Sequence, residues 1–437
     1  IYQSAYRDVA KNLRFTAFIA HCKGELERAR RNTAGSRKIH EDNLEVRRHL
    51  LPSGHPDIAR SLFSIAETYR VENKFKASQP LHEMARDMRI KTYGTRHPFV
   101  ADSLNALALL EFAQGNYIRA NEFYKEVRSV RNEFFGNYHL AVAQTLNNIA
   151  GLAHINGDKD EAESLYRQCM DIKKRVYGSG HPDYATALNN LGLLLKAKGA
   201  LTEAEKLYHK ALDIQKQAFG GEHPDVASTL NNIAALLFAQ GEVMKAQQMY
   251  RESIDVKRAC LGVDHPSVAA ALNNLAGLLF HTQQYDEARS FYEDSLNIRT
   301  KSFGGDHPLV AESLNNIALM CATEGKLEDA RLLYSRALII KTNVFGEEHE
   351  VVASAMASLA FVLQSLGKTT EARRLLDDTL EIRERVLGED HPDTLAIADQ
   401  VERLRVKDVI SRGGDPATKP TDDLQQDSFF AGIGAVN

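Results

Sequence analysis

With 437 residues, 43% of them hydrophobic and 26% charged, and a net charge of -4, the chain has the composition of an ordered soluble protein with ample apolar material for a continuous core. So mild a charge argues against a nucleic-acid partner, and no run approaches the roughly 18 apolar residues of a membrane span. No charged-then-apolar leader opens the sequence, so a cytoplasmic protein is the expectation. Cys22, Cys169, Cys260 and Cys321 are too few for a disulfide framework and too scattered for a CxxC-type metal site, which predicts reduced thiols and no cofactor.

Residues 1–54 carry 11 Lys/Arg against 6 Asp/Glu, a basic segment suited to an acidic surface through contacts that salt would screen. Residues 36–50 read as a helix that closes on Gly54-His55-Pro56, and 5–31 read as its degenerate helical partners. The segment 1–54 is therefore expected to be an N-terminal cap with a partial repeat. Ile1 stands where an initiator Met would, as in a processed or partial chain.

From His55 onward the chain writes a histidine every 42 residues: His97, His139, His181, His223, His265, His307, His349 and His391 follow without insertion or deletion. A strict period of this length means one supersecondary unit stacked on copies of itself, each burying its apolar face against its neighbours. Eight such units are expected over 55–390. Helix A starts after each His-Pro, where proline lacks only an N–H that has no partner anyway, and Asp57, Asp183, Asp225 or Asp393 favours the positive helix end. Helix A is expected to stop about a turn before the glycine place occupied by Gly115, Gly157, Gly199, Gly241, Gly325 and Gly367, where Asn73 and Gln283 are the exceptions. Helix B then carries a small residue, as in Ala204, and an aromatic one turn on, as in Tyr208. It exits through an apolar residue and glycine eight times, from Tyr93-Gly94 to Leu387-Gly388. No segment alternates with period two, so no strand is expected. Residues 391–410 read as a C-terminal capping helix and 411–437 as a disordered polar tail with a short apolar patch at Phe429, Phe430 and Ile433.

The placement of Gly, Ala and Tyr resembles the tetratricopeptide repeat (TPR). Leu-Asn-Asn-Ile/Leu-Ala, then Glu-Ala, Leu-Tyr, Ala-Leu and Phe-Gly-x-x-His-Pro, is similar to the TPR domain of kinesin light chains and of nephrocystin-3-like proteins, over residues 34–410. The resemblance implies an all-α fold, a right-handed superhelical solenoid of antiparallel helix pairs. It also implies a non-enzymatic scaffold or adaptor that holds extended peptide segments in a concave groove. Its partners would be protein or peptide ligands, with kinesin heavy chain and cytoskeletal or ciliary proteins among the candidates. One departure stands out: residues 1–54 do not sustain the apolar heptads of the coiled coil that precedes the repeats in kinesin light chains. The rival reading is a structural element of a larger ciliary or sensor assembly, packing through its convex or end surfaces.

The candidate site is the paired asparagines in mid-helix A, where asparagine is a poor helix former. These are Asn147-Asn148, Asn189-Asn190, Asn231-Asn232, Asn273-Asn274 and Asn315-Asn316. At 100° per residue the second of each pair points away from the apolar stripe of Leu188, Leu191 and Leu195, the side that the TPR resemblance implies faces the groove, while the first falls on the flank near an adjacent helix. Carboxamides there could bond the backbone of an extended peptide whatever its side chains, or could bridge neighbouring helices instead. Lys196, Phe238 and Phe280 would add selectivity, and the scarcity of basic residues beside them predicts an internal, partly apolar peptide. The histidine ladder spaces its rings one per repeat, too far apart to ligate one metal ion. Gly367-Lys368-Thr369 lacks both the first glycine and the preceding strand of a phosphate loop.

Overall fold

A computed structural model describes the backbone of residues 2–29 and 32–411, and the side chains of residues 15–28 and 32–406. The predicted tail beyond 411 lies outside the described residues. Nineteen helices and no strand occur among the described residues. They are α1 (Tyr2–Ala29), α2 (Thr33–Leu50), α3 (Pro56–Val71), α4 (Phe75–Tyr93), α5 (Pro98–Ala113), α6 (Tyr117–Phe135), α7 (Leu140–Ile155), α8 (Lys159–Tyr177), α9 (Pro182–Ala197), α10 (Leu201–Phe219), α11 (Pro224–Ala239), α12 (Val243–Leu261), α13 (Pro266–His281), α14 (Tyr285–Phe303), α15 (Pro308–Thr323), α16 (Leu327–Phe345), α17 (Glu350–Ser365), α18 (Thr369–Val386) and α19 (Pro392–Ser411). Within each of two compact units, connections this short leave consecutive helices no arrangement but antiparallel neighbours. These units, 1–176 and 177–437, each stack such pairs.

The recurring histidine caps the A helices. Nδ1 of His139, His181 and His223 accepts the backbone N–H two residues on, at 3.1, 3.1 and 3.2 Å, satisfying a donor that the first helical turn leaves open. The imidazole also stacks on the aromatic that ends the preceding B helix: Phe135 on His139 at 4.2 Å, Tyr177 on His181 at 4.2 Å and Phe219 on His223 at 3.9 Å between ring centroids. One residue thus starts a helix and fastens it to the previous one, which explains its fixed place in the period.

Two glycine places differ in kind. At the A/B turn Asn73 (φ 57°) and Gln283 (φ 62°) adopt the left-handed conformation that glycine takes elsewhere, and A helices run to within two residues of that place, closer than the turn expected from sequence. The difference arises because the residue between, such as Lys198, stays near-helical and still bonds back to Leu194. At the B exit the backbone reaches φ 81°, ψ -175° at Gly220 and φ 80°, ψ 170° at Gly94, a region open essentially to glycine alone.

The packed faces are small and apolar. Ala204, Tyr208, Leu188, Leu191 and Leu195 are buried in the pair α9/α10, and Gly192 admits the Tyr208 ring, which would lie 2.7 Å from a Cβ at that position. A second packing device, which sequence reading missed, sits late in the B helices. Nη1 of Arg47, Arg89, Arg131 and Arg299 donates to the carbonyl ten residues on, at 2.8, 3.0, 2.9 and 2.7 Å. The same Nη1 reaches the hydroxyl fourteen residues on: Ser61 and Ser103 at 2.8 Å, Thr145 at 2.9 Å, Ser313 at 3.1 Å. All four side chains are buried. Each pins a B helix to the first turn of the next A helix. At the equivalent place of other B helices stand Lys173, Lys257 and Lys341, with Ala187, Ala271 and Ala355 fourteen residues on.

Burial pushes the Lys257 amine down from the ordinary 10.5 to about 8. Between those two values the unfolded chain holds a proton that the folded chain has released, so this residue makes stability rise with pH from about 8 to about 10.5. Lys257→Met is expected to flatten that rise without lowering the urea midpoint at neutral pH. Denaturation curves collected from pH ~7.5 to ~10 check it; an unchanged slope in the variant would contradict the assignment.

Candidate peptide-binding face

Each A helix turns its apolar stripe inward, so the asparagine pair at mid-helix lies at the edge of the core. All of Asn147, Asn148, Asn189, Asn190, Asn231, Asn232, Asn273, Asn274, Asn315 and Asn316 are half-buried. The structure joins them across repeats within each unit. Nδ2 of Asn148 donates to Oδ1 of Asn105 at 3.2 Å, Asn274 to Asn231 at 3.0 Å, and Asn316 to Asn273 at 2.7 Å. The second carboxamide of one repeat therefore bonds the first carboxamide position of the repeat before it. Such bonds add about 0.5–1.5 kcal/mol each and hold neighbouring A helices in register.

Two members depart from this pattern. Asn189 donates instead to Oγ1 of Thr229 at 2.7 Å, and that hydroxyl donates on to Oε1 of Gln215 at 2.6 Å, a polar version of the arginine pin. Oδ1 of Asn315 is buried with no hydrogen-bond partner, because the residue that would reach it in the next repeat is Ser358, which donates to its own helix at the Ser354 carbonyl.

The ladder does not exhaust the second carboxamides. An asparagine side chain offers two N–H groups and an oxygen with two lone pairs. Asn274 and Asn316 each spend one N–H on the neighbour, and neither side-chain oxygen is among the buried unpartnered atoms.

Flanking positions are of two kinds. Leu193 is 39% exposed one turn beyond Asn190, and Lys196 is half-buried with its amine pushed below the ordinary lysine range by burial. Phe238 and Phe280 are half-buried and packed against the core. Phe238 lies 5.7 Å from the His281 ring, and Phe280 stands edge-on to Tyr285 at 5.6 Å. Both rings are thus braced by the A/B turn. All four cysteines are free thiols, and among the described residues no helix is long and apolar enough to cross a membrane.

The tetratricopeptide repeat profile matches residues 65–133, 99–175, 141–205, 183–259 and 267–343, and a second profile of the same description matches 19–57 and 352–393. No curated protein matches the chain. Among solved structures, the nearly identical TPR-like repeats named for a kinesin light chain of Podosopora anserina are 24% identical, covering 47% of this chain and 97% of that one with a TM-score of 0.40. BtubC (BKLC) from P. vanneervenii is 18% identical over 62% of this chain and 95% of its own, also at 0.40. A Rap protein complexed with competence and sporulation factor is 12% identical over 91% of this chain and 99% of its own, with a TM-score of 0.50, a likeness of fold alone. The stacked helix pairs and profile matches along most of the length show that the chain belongs to the tetratricopeptide repeat family, an all-α superhelical class of protein-interaction scaffold.

Proposed function

We propose that the carboxamide-bearing face of the A helices binds an extended, partly apolar segment of a partner protein, and that the chain serves as an adaptor of the kind its resemblance to kinesin light chains implies. The observation that carries this reading is the half-exposed second asparagine, which keeps hydrogen-bonding capacity after joining the ladder. A peptide backbone presents a donor and an acceptor at every residue whatever its side chains, so repeated carboxamides suit it. Leu193 beside Asn190 supplies apolar contact. A few bonds of about 0.5–1.5 kcal/mol each plus that contact give roughly micromolar affinity, near -8 kcal/mol.

The ladder itself provides the control. Asn274→Ala with Asn316→Ala, and Asn231→Ala with Asn273→Ala, break the same two hydrogen bonds, but only the first pair removes second-position carboxamides. Fluorescence polarisation with extended peptides from candidate cargo proteins is expected to show about tenfold weaker binding for the first variant and near-native binding for the second. Equal losses in both, tracking lowered melting temperatures, would make the asparagines purely structural. Peptide-independent self-association on size exclusion, with no binding at all, would favour the assembly-element reading.

A further inference from the structure

The column that holds Tyr124, Tyr166 and Tyr208 in later repeats holds histidine in the first two, at His82 and His40. Both imidazoles are fully buried, and neither ring nitrogen of either one makes a hydrogen bond of good geometry, although Nε2 of His40 lies 3.3 Å from Oε1 of Glu25. An unpaired buried polar group of this kind costs about 1–3 kcal/mol. In the first pair of helices a third donor stands beside it. His21 and Glu25, four residues apart, share one face of α1, and His40 projects from α2. One ligand atom from each of the three lies within 4.8 Å of the others, and the two imidazole centroids are 5.4 Å apart. Nδ1 of His21 is also buried without a partner.

We infer that His21, Glu25 and His40 form a site for one divalent transition-metal ion of the zinc class, held between α1 and α2.

Two imidazole nitrogens and a carboxylate oxygen are a donor set that suits zinc or cobalt, with a fourth position left for water. Ligand atoms around a tetrahedral ion with bonds of about 2.0–2.1 Å sit roughly 3.3 Å apart, so closing this site needs side-chain shifts of about 1 Å. Ser64 donates to Oε1 of Glu25 at 2.8 Å and Arg28 pairs with Oε2, which together orient the carboxylate. Gly24 gives the His40 ring its place, since a Cβ there would come within 2.5 Å of Nε2.

The next repeat is an internal control. Forty-two residues on, the three positions are Phe63, Glu67 and His82. The Glu-His pair persists at 3.3 Å, but the Phe63 ring meets His82 edge-on at 5.1 Å and Arg70 takes both oxygens of Glu67 at 3.1 and 2.8 Å. The same frame without its third nitrogen is therefore a Glu-His contact closed by a phenyl ring and an arginine, which makes His21 the residue that completes a metal site.

His21→Phe copies the second repeat and so keeps a packing the chain already uses. The full chain, stripped with chelator, is titrated with cobalt(II) followed by visible absorption, then with zinc in competition. Wild type is expected to take up one ion with the intense bands of a low-coordinate cobalt site, and zinc is expected to raise its melting temperature. His21→Phe is expected to bind at least tenfold more weakly and to lose the zinc-induced shift, while its metal-free melting temperature stays near that of wild type. Glu25→Gln, nearly isosteric, must weaken binding likewise, and stands in should His21→Phe fail to fold. Equal uptake by the variants would mean an adventitious ion only, captured by other members of the 16 histidines. No uptake by wild type would leave a buried Glu-His contact that holds no ion. Either result overturns the site.

Discussion

Arg299→Ala is expected to destabilise the chain by about 1.5–3 kcal/mol, the range for hydrogen bonds made by a charged group. The guanidinium is 1% exposed and its Nη1 reaches the Leu309 carbonyl, the Glu312 carboxylate and the Ser313 hydroxyl at 2.7, 3.3 and 3.1 Å. Removing it leaves Glu312, which is 35% exposed and whose carboxyl burial holds above its usual range, with Lys341 as its remaining counter-charge. The chain contains its own repair. Lysine with alanine fourteen residues on is the version used at Lys257/Ala271 and Lys341/Ala355. Arg299→Lys combined with Ser313→Ala should therefore lose much less than Arg299→Ala, and less than Arg299→Lys alone. Urea unfolding midpoints for the three variants decide it. If the paired change is no better than the single lysine, the correspondence between pin and partner along the array is accidental.

Gly220→Ala is expected to cost about 1–3 kcal/mol although a methyl group there would meet nothing within 4 Å. The penalty is conformational, because φ 81° with ψ -175° is closed to residues bearing a Cβ. Gly241→Asn at the A/B turn should cost well under 1 kcal/mol, since Asn73 already occupies the equivalent place at φ 57°. Thermal melts of the two variants separate the cases. Equal losses would mean that the two turns share one backbone requirement.

Much of the architecture was legible before any coordinates. The 42-residue period, the His-Pro starts and the glycine exits place the helices because each depends on a few neighbouring residues. The imidazole cap on a residue two positions away and the ring stacking on an aromatic four positions back are local, and repetition amplifies them. The asparagine pairs were legible only in part. Helical geometry separates them from the apolar stripe, yet the bond from Asn274 to Asn231 joins residues 43 apart, one more than the period. That offset depends on how far each A helix is shifted against the next, a quantity no single repeat encodes.

The arginine pins show the same limit from the other side. Arg299 sits in a polar B-helix sequence and reads as a solvated cation until the next A helix covers it. His40 and His82 could have been noticed as histidines in a tyrosine column, but the approach of His21 to His40 depends on α1 packing against α2. The sequence by itself determined the repeat unit, its helix starts, its B-helix exits and its all-α class, because turns, caps and apolar spacing act over a few residues. Only the tertiary structure decided which polar groups face each other across a junction. Those partners are set by the angle and separation at which whole helices pack, and both emerge from many side chains at once.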